Sequence, residues 1–191
     1  LAELDADVVG LIEIENNDDE AVETLTQALN DVVGAGTYDY VATGTIGTDE
    51  ITTAFIFKPT AVTPVGDFAL LTSADDPRFL DAFNRPTLAQ TFEESATGET
   101  VTVAVNHLKS KGSGCESVGD PEDPWAGNCN GVRTAAAEAM VDWLAADPTG
   151  TGSENSLVIG DLNSYDKEEP ISVFLDAGYS DLLLEHQGEL E

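Results

Sequence analysis

Positive charge is what this sequence lacks most. Seven Lys and Arg stand against 37 Asp and Glu, a formal net charge of −30. With so few cations there is no extended basic stripe, so the chain does not bind polyanions by broad surface attraction. A folded protein this acidic repels itself at low salt. Salt relieves the repulsion, because the Debye length falls from about 10 Å at 0.1 M to about 3 Å at 1 M. The composition therefore predicts a saline working environment, the alternative being an acidic secreted protein of ordinary habitat. Histidine is scarce too, with only His107 and His186. Two cysteines, Cys115 and Cys129, are too few for a Cys-only metal site, and the shortage of His disfavours zinc. No apolar run reaches the roughly 18 residues of a membrane-spanning helix. There is no internal repeat and no low-complexity tract. No leader segment is visible, and the chain starts at Leu1 rather than Met, which reads as an interior piece of a longer polypeptide with other domains. Nothing calls for an obligate oligomer.

What is present is an ordinary globular complement: 191 residues, 41% of them hydrophobic, enough for one domain over 1–191 with a sizeable core. The near-continuous apolar run from Asp7 to Asn16 predicts a buried strand, and Asn17-Asp18-Asp19-Glu20 a helix start. Val22, Leu25, Leu29 and Val32 or Val33 continue that helix at its own period, with Gly34 as its stop. Strands follow over Tyr38–Ala42, Thr52–Phe57 and Ala61–Val65, a spacing that favours antiparallel neighbours over βαβ units. Gly66–Pro86 reads as irregular. Thr87–Phe92 and Val101–His107 are strands joined by a turn at Glu94–Glu99. A helix over Val132–Ala146, a strand over Leu157–Gly160 and a short helix over Pro170–Asp176 complete the pattern. The Gly-, Pro- and Asp-rich loop between Cys115 and Cys129 predicts a disulfide, worth about 3 kcal/mol in the chain-entropy model, and hence an oxidising compartment.

Polar groups interrupt the apolar runs at strand ends. Glu13 breaks the first run. It is either a ligand or a side chain reaching solvent, and Glu15 is a second ligand or merely the rim. Arg85 precedes a proline at a strand entrance, where a planar guanidinium suits a phosphate, whereas Arg78 reads as a surface ion pair. Asn106-His107 ends a strand and leads into Leu108-Lys109-Ser110-Lys111, the one locally basic patch, with His107 as a candidate general acid/base. Arg133 falls in the first turn of its helix, against the dipole, and so requires a local partner. Gly160-Asp161-Leu162-Asn163 follows a buried strand, and an extended backbone would point Asp161 and Asn163 to the same side. His186 reads as surface. Carboxylates with an Asn suit a hard divalent ion, Mg²⁺ before Mn²⁺ or Ca²⁺. Metal, Arg, Lys and His together describe hydrolysis of a phosphate ester.

Asp7–Glu13, Phe83-Asn84-Arg85-Pro86, Asn106–Ser113 and Gly160–Asn163, in that order, resemble the endonuclease/exonuclease/phosphatase superfamily. Asn106–Ser113, the paired cysteines and Cys129–Arg133 resemble in particular its large secreted prokaryotic nucleases (deoxyribonuclease-I-like). The resemblance implies an α/β fold, a four-layered sandwich of two packed, mainly antiparallel sheets flanked by helices and incomplete at both ends. It implies a metal-dependent phosphodiesterase, a secreted endonuclease acting on DNA and possibly RNA. Glu13 would be the metal ligand, with Asp161 beside it. Asp161 would also align or deprotonate water, Asn163 would orient phosphate, and His107 would be the catalytic histidine. Arg85, with Asn106, Lys109 and Lys111, would contact phosphate, while Asp49 would support His107. An Asn-bearing strand before Leu1 and a terminal Asp-His are missing from the pattern, so this piece alone is expected to be inactive. A phosphatase or phosphodiesterase for small or lipid phosphates, and a non-catalytic acidic module, are the alternatives.

Overall fold

The computed structural model describes residues 1–187. The chain divides into two compact units. One comprises 1–70, 85–107 and 147–160, the other 71–84, 108–146 and 161 onward.

The first unit is two sheets and a helix. One sheet has three strands in the order β1 (Val8–Glu15), β3 (Ile51–Phe57) and β2 (Asp39–Tyr40), all antiparallel pairs. The other has the order β4 (Val62–Leu71), β5 (Thr87–Glu94), β6 (Thr100–His107) and β7 (Ser156–Asp161), with β5 and β6 antiparallel. Alternation sorts the side chains. Phe55 and Phe57 of β3 meet Leu88 and Phe92 of β5 and Val103 and Val105 of β6 in the core between the sheets. The Phe55 and Phe92 rings meet edge to face at 5.7 Å, a geometry the ring quadrupoles favour. Ala54 and Ile56, one residue out of phase, face the other way and pack with Val22 and Leu29 of α1 (Glu20–Val33). That helix starts where Asn17 Oδ1 accepts the Ala21 N–H at 2.9 Å, and it stops at Gly34, whose φ of 121° a side chain would resist.

The second unit is organised by α2 (Asn130–Ala145) and α3 (Glu169–Asp176), which pack together, with a one-turn 3₁₀ segment at Glu116–Val118 and the short α4 (Leu182–Gln187). The predicted disulfide is present: Cys115 and Cys129 are bonded, fully buried, and packed with Val132.

The expected α/β architecture of two packed, mainly antiparallel sheets with helices is present. Three local readings are corrected. The second strand is only two residues long. The stretch after Gly66 is not irregular from its start, because β4 runs through Gly66 to Leu71. His186 is exposed as expected, but it lies in a helix.

Candidate active site

In the first unit the site residues are placed by one bulge and one loop. Val8 and Ile12 of β1 pack into the core between the sheets, while Val9 and Leu11 pack on the α1 side. Strict alternation would send Glu13 to the α1 side with them. Instead the register slips between Leu11 and Ile14, and Glu13 takes the left-handed φ of 58°. The extra residue lets Ile14 take the α1 side. Glu13 is turned toward β6, with Oε1 4.0 Å from His107 Nε2. Its carboxylate is 65% exposed, whereas the imidazole beside it is 6% exposed. Glu15 is exposed at the end of β1, opposite Ile51.

Arg85 enters β5 with its N–H donating to the His107 carbonyl at 3.2 Å. Its guanidinium forms an ion pair with Asp49, Nη2 to Oδ2 at 2.8 Å, and its Nε is buried without a hydrogen-bond partner among the described residues. Asp49, expected to serve His107, meets Arg85. The loop that carries it is held by Asn16, a residue the motifs did not single out. Asn16 Nδ2 donates to the carbonyls of Ile46 and Asp49 at 2.8 and 2.9 Å, and its Oδ1 accepts from Ile46 N at 3.0 Å. A polar residue directly after a strand is the signal that could have found it.

Asn106 is corrected. It is fully buried: Oδ1 accepts from Thr87 Oγ1 at 2.5 Å, and Nδ2 donates to the carbonyls of Ala104 and Ile159 at 3.1 and 3.3 Å. It ties strands together instead of facing a ligand. Gly160 is the complement of this contact. A Cβ there would fall 2.1 Å from the Asn106 carbonyl oxygen, and φ is 110°. This glycine permits the strands to approach.

In the second unit, β7 ends at Asp161, and Asn163 adopts a left-handed φ of 49°. The two side chains are therefore not on one face of an extended strand, as had been expected. Asp161 Oδ1 accepts the Asn163 N–H at 2.7 Å, a tight Asx-type turn. Asn163 Nδ2 donates to the Leu108 carbonyl at 2.9 Å, and Leu108 N donates to the Asp161 carbonyl at 2.9 Å. The basic patch is less free than its sequence promised. Lys111 Nζ is paired with Glu168 Oε1 at 2.5 Å and lies 4.4 Å from the centre of the Tyr165 ring, while Lys109 Nζ donates to Ser113 Oγ at 2.8 Å.

Arg133 holds this unit's loops together, and the local partners its position called for are backbone carbonyls, those of Ala126 and Asn128 lying close by in the chain. It is fully buried. Nη1 donates to the carbonyls of Lys109 and Asn128 at 3.1 and 2.7 Å, Nη2 to Ala126 at 3.3 Å, and Nε to Ser164 Oγ at 3.2 Å. Burial lowers its pKa, and Glu168 and Asp120 oppose that shift. Arg78 makes the expected ion pairs, at 2.6 Å to both Asp76 and Asp142.

Among the described residues no three His, Cys, Asp or Glu are grouped to hold a metal ion. Magnesium takes one or two carboxylates and completes its shell with water and substrate oxygens. An exposed carboxylate such as Glu13 fits one such position, while a closed protein cage is not built.

No protein-family model matches the sequence, and neither does any curated protein. Solved structures do. The human Nocturnin catalytic domain with bound sulfate aligns at TM-score 0.65 and 18% identity, over 98% of this chain and 64% of that one. Zebrafish (D. rerio) TDP2 complexed with single-strand DNA product aligns at 0.59 and 18%, over 100% and 61%. An endonuclease/exonuclease/phosphatase family protein of Bacteroides thetaiotaomicron aligns at 0.60 and 14%, over 92% and 55%. The chain thus spans between 55 and 64% of these structures. At these identities the likeness is one of architecture, and it is consistent across the alignments: the chain has the endonuclease/exonuclease/phosphatase fold.

Proposed function

We propose that this chain serves metal-assisted hydrolysis of phosphodiesters, with DNA as the favoured substrate and a secreted, saline setting. The observation that carries the reading is the bulge that turns Glu13 toward His107. A glutamate held in an unfavourable backbone conformation, so that its carboxylate stands exposed beside a buried imidazole, has no packing rationale. Glu13 would contribute one oxygen ligand to a hard divalent ion. Bound there, such an ion would polarise a phosphoryl oxygen and favour ionisation of the attacking water.

The remaining roles belong to this chain's own groups. His107 moves a proton at Nε2, which lies 4.0 Å from the Glu13 carboxylate. Arg85 presents a guanidinium to a phosphoryl oxygen, and its buried Nε–H is a donor in want of an acceptor. In the second unit Asp161 aligns water, and the Asn163 N–H holds that carboxylate in one orientation. Lys109 and Lys111 are secondary, being already engaged. The disulfide supports an oxidising compartment.

The test is nicking of supercoiled plasmid by the purified full-length protein with Mg²⁺, Mn²⁺ or Ca²⁺ across a range of salt, beside a lipid phosphodiester and a sugar phosphate. Chelation abolishes nicking, and His107→Ala lowers it by at least about 100-fold. Hydrolysis of the lipid or sugar substrate alone would move the protein to the small-phosphate reading. Nicking unaffected by His107→Ala would remove the mechanism.

A further inference from the structure

Trp125 is 93% exposed and Tyr165 is 74% exposed, the two most solvent-exposed large aromatics of the second unit. Neither belongs to a core, yet the backbone around Trp125 is pinned on every side. Asp123 Oδ1 accepts the N–H groups of Trp125 and Ala126 at 2.8 and 2.7 Å. Asp123 and Gly127 exchange both backbone hydrogen bonds, at 3.2 and 3.0 Å. Arg133 holds the carbonyls of Ala126 and Asn128, and Cys129 is anchored by its disulfide. Asn128 Nδ2 donates to the Lys111 carbonyl at 3.0 Å. The loop also lies along the Lys111 stem, since a Cβ at Gly127 would sit 3.6 Å from Lys111 Cδ. Tyr165 covers the ammonium of that same lysine. Lys111, whose charge Glu168 already matches, thus has the Trp125 loop along its stem at Gly127 and the Tyr165 ring over its ammonium.

We propose that Trp125, with Tyr165, is a stacking platform for nucleobases. This rests on the hydrolytic reading above and deepens it, because it makes the substrate a nucleic acid with unpaired bases instead of a base-free phosphate. A rigid loop loses little freedom when a base lands on its indole. Stacking tolerates any base and needs no net positive charge. In a chain of net charge −30 the long-range electrostatic term opposes binding of a polyanion. Salt removes that opposition and leaves stacking intact. Affinity therefore rises with salt, the reverse of the counterion-release behaviour of basic nucleic-acid-binding proteins.

The experiment is fluorescence anisotropy of a labelled single-stranded oligodeoxynucleotide and of its abasic counterpart, in chelator, between about 0.1 M and about 2 M KCl. The oligodeoxynucleotide binds roughly tenfold tighter than the abasic strand at high salt, and Trp125→Ala removes that difference. Trp125→Phe keeps most of it, and Tyr165→Ala removes a smaller part. Circular dichroism of each variant matches the parent, since these rings face solvent. Equal affinity for both strands, an affinity that falls with salt, or an unchanged Trp125→Ala variant overturns the proposal. Turnover of a base-free phosphodiester together with base-independent binding defeats the stacking platform and leaves the hydrolytic reading standing. Base-dependent binding with no turnover of any phosphoester does the opposite.

Discussion

Glu13 Oε1 lies 4.0 Å from His107 Nε2, although Glu13 occupies a strand position whose parity belongs to the opposite face. The approach exists only because the backbone at Glu13 is left-handed, with φ 58°. For a side chain with a Cβ such a conformation costs on the order of 1 kcal/mol or more. Glycine adopts it freely. Glu13→Gly should therefore raise unfolding stability by about 0.5–1 kcal/mol and lower phosphodiester hydrolysis by at least about 100-fold. Urea denaturation and plasmid nicking check the two arms. A destabilised Glu13→Gly protein would show that the carboxylate itself holds the bulge.

Gly160→Ala should be among the most damaging single substitutions in the first unit. Its Cβ would meet the Asn106 carbonyl oxygen at 2.1 Å, and φ is 110°. The obstacle is backbone, not a flexible side-chain tip, so β6 and β7 must part. A loss of about 3 kcal/mol or more is expected, read from the denaturation midpoint. Tolerance within about 0.5 kcal/mol would contradict the close approach.

Arg133→Lys should destabilise the second unit although charge is retained. One ammonium cannot serve the carbonyls of Lys109, Asn128 and Ala126 together with Ser164 Oγ. Leaving buried acceptors unmet costs about 1–3 kcal/mol each. Hydrogen exchange should rise in the Lys109–Ser113 and Ala126–Asn128 segments before it rises in β5 or β6. Uniform protection across the two sets of segments would argue against a local clamp.

The loop bearing Trp125 should be acid-sensitive. The Asp123 carboxyl is held below its usual range by the N–H of Ala126 first and that of Trp125 second. Its folded pKa is thus lower than its unfolded one. The contribution is complete above the unfolded value of about 3.9 and is lost as pH falls through the folded value. In a Trp143→Phe background, Trp125 emission should stay constant from neutral pH to about 4 and change below it. Asp123→Asn should remove that acid transition; an identical transition in the variant would assign it elsewhere.

Much of this was legible in the chain itself. β1, α1, β3, β5, β6 and α2 follow from periodicity and from their Gly and Pro boundaries, because burial on one or both faces writes itself into local sequence. His107 stands out by scarcity, and the Cys115–Cys129 bond by its loop. The failures were those of parity and partnership. A bulge costs one residue and leaves no mark in the apolar pattern, so the face Glu13 presents could not be read from its number. Asp161 and Asn163 were assigned to one face because an extended backbone was assumed, and an Asx turn replaced it. Asn106, Lys111 and Arg133 stand out as unusual, but Thr87, Glu168 and, for Arg133, the Lys109 carbonyl and Ser164 hydroxyl come from distant parts of the chain.

The sequence by itself determined the class of this protein, the order of its strands and helices, its acidity and the set of chemical groups at its strand ends. Only tertiary structure decided which of those groups are free to act. Asn106 is consumed in tying strands, Lys111 is matched by Glu168, and Glu13 is left exposed beside His107. The physical reason is that hydrogen-bond and charge partners are chosen by folding across long sequence separations, while periodicity records only what each residue does with its neighbours.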